Sequence, residues 1–177
     1  MRPQCPAVSV ADARFAACAA AVTAARGAFR EHDPLFGGPS AHGIGLGLLA
    51  VWIGGPADAA MLRGLEAEVA RRILHGMVWV PLGAGRLAPG PDLALFAYAL
   101  EAGTMQALAD LQRELGVPVS GAADAATLAA ARRRPAAALA ARIRAAHADW
   151  RAGRGLPPPA RARPRRQSPR PEAAPPA

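Results

Sequence analysis

A chain of 177 residues has the length of one ordinary domain, and 52% hydrophobic residues, many of them alanine, favour helices of small side chains over a sheet of branched ones. Every one of the 21 basic residues is arginine, and the net charge of +8 is unevenly held: 15 Arg against 12 Asp plus Glu up to Ala152, then 6 against 1 from Gly153 onward. A pI near 11.4 therefore does not make the folded body a nucleic-acid binder, and Cys5 and Cys18 are too few for a disulfide framework or a zinc site.

In chain order, Phe15, Cys18, Val22, Ala25 and Phe29 recur at spacings of three and four and predict an amphipathic helix over 11–29, with Asp12 near its positive end and Cys18 as a small core residue. Gly37, Gly38 and Pro39 then forbid regular structure, so a loop is expected. Ile44 to Trp52 opens a short second helix that Gly54-Gly55-Pro56 stops. Leu65, Val69, Ile73 and Met77, with Glu66, Glu68, Arg71 and Arg72 on the other faces, predict a third helix over 65–78. A Gly/Pro-rich loop follows from Leu82 to Pro91.

Leu93, Phe96 and Leu100 begin a helix ended by Gly103, and Met105, Leu108, Leu111 and Leu115 form the next, stopped by Gly116 and Pro118. Asp124 is placed to cap a short helix through Thr127 and Leu128. Leu139, Ile143, Ala146 and Trp150 give the last stripe. The expectation is an all-α domain of about seven short helices. From Gly153 the sequence turns rich in Pro and Arg, with little to bury, which predicts a disordered, partly polyproline-II tail over 153–177; its arginines suit a weak anionic partner.

No apolar run approaches the ~20 residues of a membrane span; Leu46 to Ile53 is too short and contains Gly47. Asp12 and Arg14 interrupt any signal-peptide pattern, so the expected location is cytoplasmic when synthesised, with export to the cell wall left to another system.

The order of these segments resembles the lysozyme-like N-acetylmuramidases of glycoside hydrolase family 108. That family has a Glu-Gly-Gly-Tyr step closing the first helix, a Gly-Gly loop and a Gly-Ile-Thr step. Here the columns read Arg26-Gly27-Ala28-Phe29, Gly37-Gly38-Pro39-Ser40 and Gly43-Ile44-Gly45. Val78-Trp79 matches its Tyr-Trp pair, Leu87-Ala88-Pro89-Gly90 with Asp92 and Phe96 its Leu-Pro-x-Gly segment, and Ala99-Leu100-Glu101-Ala102-Gly103 its Ala-Val-Asn-x-Gly stretch. Leu111-Gln112-Arg113-Glu114-Leu115-Gly116-Val117, Gly121 and Thr127-Leu128 follow, with Ser120 and Asp124 at columns usually held by Asp and Gly. The resemblance implies a lysozyme-like region over 11–103, a peptidoglycan-binding-like helical part over 104–152, a peptidoglycan or muropeptide partner and no cofactor.

Glycoside hydrolysis needs a carboxylic acid that protonates the departing oxygen. The family's acid column is Arg26, whose guanidinium keeps its proton and repels a cationic transition state. The other loop carboxylate column is Leu35, and the Thr of Gly-Ile-Thr is Gly45. Glu31 is the candidate replacement acid, although five residues along a helix would turn it about 140° from position 26.

The residues expected to bind glycan are Gly37, Gly38, Ser40, His42, Trp79, Tyr98 and Glu101. For Trp52 and Trp79 core packing is the competing role, and for Glu101 a solvent-facing helix position is. His32, His42 and Asp33 lack the spacing of a metal site, and Ser40 has no partner that would make it a nucleophile. The sequence thus reads as a peptidoglycan-directed, lysozyme-like protein without its catalytic acid. The alternatives are an active hydrolase using Glu31 and a phage-derived structural or interaction protein with a vestigial groove.

Overall fold

The computed structural model describes residues 10–159. Cys5 and tail residues 160–177 lie outside the described residues, and with them most of the segment expected to be disordered. Residues 153–159 do have placed contacts: Leu156 N donates to the Arg151 carbonyl, and Arg154 sits 4.0 Å over the Trp150 ring.

Among the described residues there are eight α-helices and one small sheet, which packs against the two helices that follow it in the chain. Helix α1 spans Val10–Arg26; α2, Leu46–Ile53; α3, Ala59–Arg63; α4, Ala67–Leu74; α5, Pro91–Ala102; α6, Thr104–Leu115; α7, Ala125–Arg132; and α8, Ala136–Ala152. A π-helical turn, His75–Trp79, continues α4, and a single 3₁₀ turn occupies Ala84–Arg86. The mainly helical fold expected from composition is present. Three particulars differ: α1 ends at Arg26 and not at Phe29, because Gly27 takes a left-handed turn; α3, capped by Asp58 accepting from Met61 N at 2.8 Å, was not anticipated; and the expected loop around Gly37 is a sheet.

That sheet is antiparallel, in the order β1 (Arg30–Asp33), β2 (Gly38–Ala41), β3 (Ile44–Gly45). Arg30 pairs with Ser40 and Asp33 with Gly38, so Glu31 and His32 lie opposite the single residue Pro39. Two residues facing one make a bulge, which is where a proline without a ladder donor is tolerated. Asp33 closes the β1–β2 turn by accepting from Leu35 N (3.0 Å) and from the Ser40 hydroxyl (2.8 Å). The β2–β3 connection is the two-residue turn His42-Gly43, with φ of +53° and +83°, the mirror-image geometry that suits hairpin twist.

Helix α5 is the central element. Its faces are buried nearly all round, from Pro91 to Leu100, as expected of a helix with neighbours on every side. It packs along α8, α6 and α1. At its N-terminal end buried Asp92 accepts from Gly90 N, Leu93 N and Arg14 Nη2 (2.5 Å), tying α1 to α5. Phe15, Trp79 and Phe96 meet in a tilted and edge-to-face aromatic cluster with centroids 5.5–6.2 Å apart. One continuous core runs from Phe15 through Leu95 and Leu108 to Ile143.

Candidate functional site

Arg26 is the last residue of α1, where a cation opposes the negative end of the helix dipole. Gly27 follows in the left-handed region (φ +78°), and the chain turns into the sheet. His42 N reaches back to the carbonyls of Gly27 and Ala28, both at 3.2 Å, laying the His42-Gly43 turn over the helix end. A Cβ on Gly43 would stand 2.9 Å from Arg26 Cδ, so only glycine lets the turn pass over this side chain.

Opposite the turn lies Glu101, near the end of α5. Arg26 Nη2 donates to Glu101 Oε1 at 2.5 Å, with side-chain exposures of 10% and 5%. The second carboxylate oxygen accepts from Arg151 Nη1 at 2.5 Å and pairs with His147 Nε2 at 2.8 Å, both from α8. The His147 ring is stacked on Tyr98, centroids 4.8 Å apart, and the Tyr98 hydroxyl donates to Asp110 on α6. One carboxylate is therefore the shared acceptor for three side chains drawn from the two ends of the chain.

The electrostatics follow from this arrangement. Burial alone raises the Glu101 carboxyl, but the hydrogen bond and charge of His147, with Arg26 and Arg151, outweigh it and hold the group below its ordinary value of 4.5. Glu101 is thus kept ionised, the opposite of what a proton donor near neutral pH requires. Tyr98 is shifted upward, first by burial and then by its bond to Asp110.

The fold matches that of a solved structure of SagA from Brucella abortus. The two share 29% sequence identity and superpose with a TM-score of 0.74, over 80% of this chain and 81% of the SagA chain. No protein-family model and no curated protein matches the chain. The likeness is one of fold, and it accords with the lysozyme-like arrangement expected from the order of segments.

The residues expected to bind glycan fall into three groups. Gly37 is exposed in the β1–β2 turn and Gly38 is half-buried beside it. Ser40 is buried and spends its hydroxyl on Asp33; His42 is half-buried with Nε2 3.2 Å from the Leu65 carbonyl; Trp79 is buried in the aromatic cluster. Tyr98 and Glu101 come together with Arg26 in the ion cluster. Glu31 stands apart, exposed on the bulge and paired with Arg63 Nη2 at 2.8 Å. His32 is exposed while its neighbour Asp33 is buried, so these two do not converge with His42.

One family column is filled in a way the sequence did not suggest. At Gly45, the Gly-Ile-Thr column, a Cβ would lie 2.7 Å from Phe36 Cδ1: the Phe36 ring occupies the space of the missing side chain. His147 and Arg151 were also missed. Their signal was the four-residue continuation from Ile143, which places polar side chains on the edge of the last apolar stripe. Two surface grooves lie elsewhere. One, of about 420 Å³, is lined by Asp110, Arg113, Glu114, Ala146, Asp149 and Trp150, and the other, of about 300 Å³, lies between α6 and the start of α8.

Proposed function

We propose that this protein is a peptidoglycan-directed member of the lysozyme-like group that binds the wall polymer without cleaving it. The observation that carries the reading is the Arg26–Glu101 pair: a guanidinium stands at the acid column, and the nearest carboxylate is clamped in its ionised form by cations. Neither can deliver a proton to a departing glycosidic oxygen. The likeness to SagA in fold and the colinear motifs support the polymer class.

The test is a cell-wall turbidity assay run beside pelleting with insoluble peptidoglycan. The natural chain is expected to pellet with the wall and leave turbidity unchanged, and Glu31→Gln to behave identically. Arg26→Glu alone would set two carboxylates against each other at the end of α1. The double change Arg26→Glu with Glu101→Asn, which rebuilds the family's pair of residue types, is the variant expected to gain lysis. Robust lysis by the unmodified chain, lost in Glu31→Gln, would overturn the reading in favour of Glu31. That alternative has less support, because Glu31 is solvated and ion-paired with Arg63.

A further inference from the structure

Arg26 is under-used by its own protein. A guanidinium carries five N–H donors in a rigid fork, and among the described residues the one hydrogen bond from Arg26 goes to Glu101. Among the described residues its Nε and Nη1 have no partner, and neither is one of the fully buried unpartnered nitrogens, which are Arg14 Nε and Trp150 Nε1. With about 10% of the side chain exposed, the edge of the Arg26 fork that Glu101 does not use is left without a protein partner among the described residues. The local charge is unbalanced in the same sense. Two guanidiniums, from Arg26 and Arg151, converge on a single carboxylate, while His147 adds a third nitrogen and no negative charge.

Arg151 has less to spare, since its Nε donates to the Pro157 carbonyl as well. A largely buried cationic fork with free donors, an excess positive charge around it and a partly exposed side chain is matched by an external planar anion, because a carboxylate accepts two parallel N–H bonds from one guanidinium edge, here Nη2 with its neighbouring nitrogen on the side away from Glu101. We propose that Arg26 is a receptor for a carboxylate of the bound wall glycopeptide. Two such groups exist on the polymer: the lactyl carboxyl of an N-acetylmuramic acid residue, and the carboxylates of the peptide attached to it. Where an active relative would place a proton donor, this chain places an anion reader. The inference rests on the glycan reading above and deepens it.

The experiment follows the Arg side-chain Nε–Hε signals of the ¹⁵N-labelled full chain during titration. The Arg26 signal is identified by its absence in Arg26→Lys. Three probes separate the chemistries: N-acetylmuramic acid with a free lactyl carboxyl, muramyl dipeptide with that carboxyl amidated and a peptide carboxylate instead, and neutral N-acetylglucosamine oligomers. The expected result is a shift of the Arg26 signal with at least one acidic probe, binding about tenfold or more tighter than the neutral oligomer at low salt. The advantage should shrink as salt is raised and disappear in Arg26→Met, where Glu101 keeps His147 and Arg151. Which acidic probe wins identifies the source of the carboxylate.

Equal binding of acidic and neutral probes, or acidic binding that survives in Arg26→Met, would overturn the proposal. Pelleting with whole peptidoglycan while no acidic probe moves the Arg26 signal would also overturn it, leaving the glycan reading intact. A shifted Arg26 signal in a protein that does not pellet would uphold the carboxylate receptor and discard the wall polymer as its natural source.

Discussion

Glu101 has three partners and almost no water, so neutralising it strands two guanidiniums in the interior. Glu101→Gln is expected to cost about 3–5 kcal/mol, the usual penalty for leaving a buried charge without its counter-ion, measured by urea denaturation at pH 7. The pH dependence has a definite sign. The folded carboxyl lies below 4.5, so its contribution is complete above that value and is lost as pH falls through the folded value. Thermal melts should therefore show the gap between natural chain and Glu101→Gln narrowing on acidification from pH 7 to pH 3. Cys18 gives a second check at this scale. Burial, then the neighbouring Asp92 charge, push its thiol up to about 12 against a smaller opposing effect of Arg14, and thiolate is the reactive form. In a Cys5→Ser background, iodoacetamide at pH 8.5 should label the folded protein negligibly and the denatured protein fully.

Among the elements, the hairpin offers the sharpest test, because Phe36 and Gly45 fit one another. Gly45→Thr must displace the Phe36 ring and should destabilise by about 1–3 kcal/mol, whereas Phe36→Ala in the same chain should recover much of that loss in a double-mutant cycle. The same hairpin explains what could be seen in the sequence. Helices α4 to α8 announce themselves through apolar periodicity and through punctuation such as Asp124, whose Oδ1 accepts from Thr127 N at 2.7 Å as its position predicted. The sheet carries no such signal. Its strands are four, four and two residues long, contain Gly and Pro, and are held by the Asp33 turn and the His42-Gly43 turn rather than by alternating branched side chains. Position 26 was visible through its resemblance to a family column. Its partners were not, since Glu101 lies 75 residues from Arg26, and His147 and Arg151 lie 46 and 50 residues from Glu101; only packing of α1 and α8 against α5 brings them together.

For the molecule as a whole, the net charge is concentrated towards one end of the sequence, residues 160–177 supplying +4 of the +8. Among the described residues the core is the continuous cluster from Phe15 to Ile143, and residues 160–177 hold five arginines against one glutamate. A chain ending at Pro159 keeps the Arg151–Pro157 bond and the Arg154–Trp150 stack, and its net charge falls from +8 to +4. It should melt with the full chain yet leave a sulfonate cation exchanger at lower salt. Within the described residues, no helix is long and apolar enough to cross a membrane.

The way Arg26 and Glu101 lock together also bears on ancestry. An acid placed at position 26 by itself would set two carboxylates side by side, and an amide placed at position 101 by itself would orphan two arginines, so either single change gives a less well folded protein than the present pair or the double change. Selection that weeds out poorly folded chains closes both one-step paths. A chain that carries this pair is thereby held to it, much as a ratchet holds after the pawl has dropped.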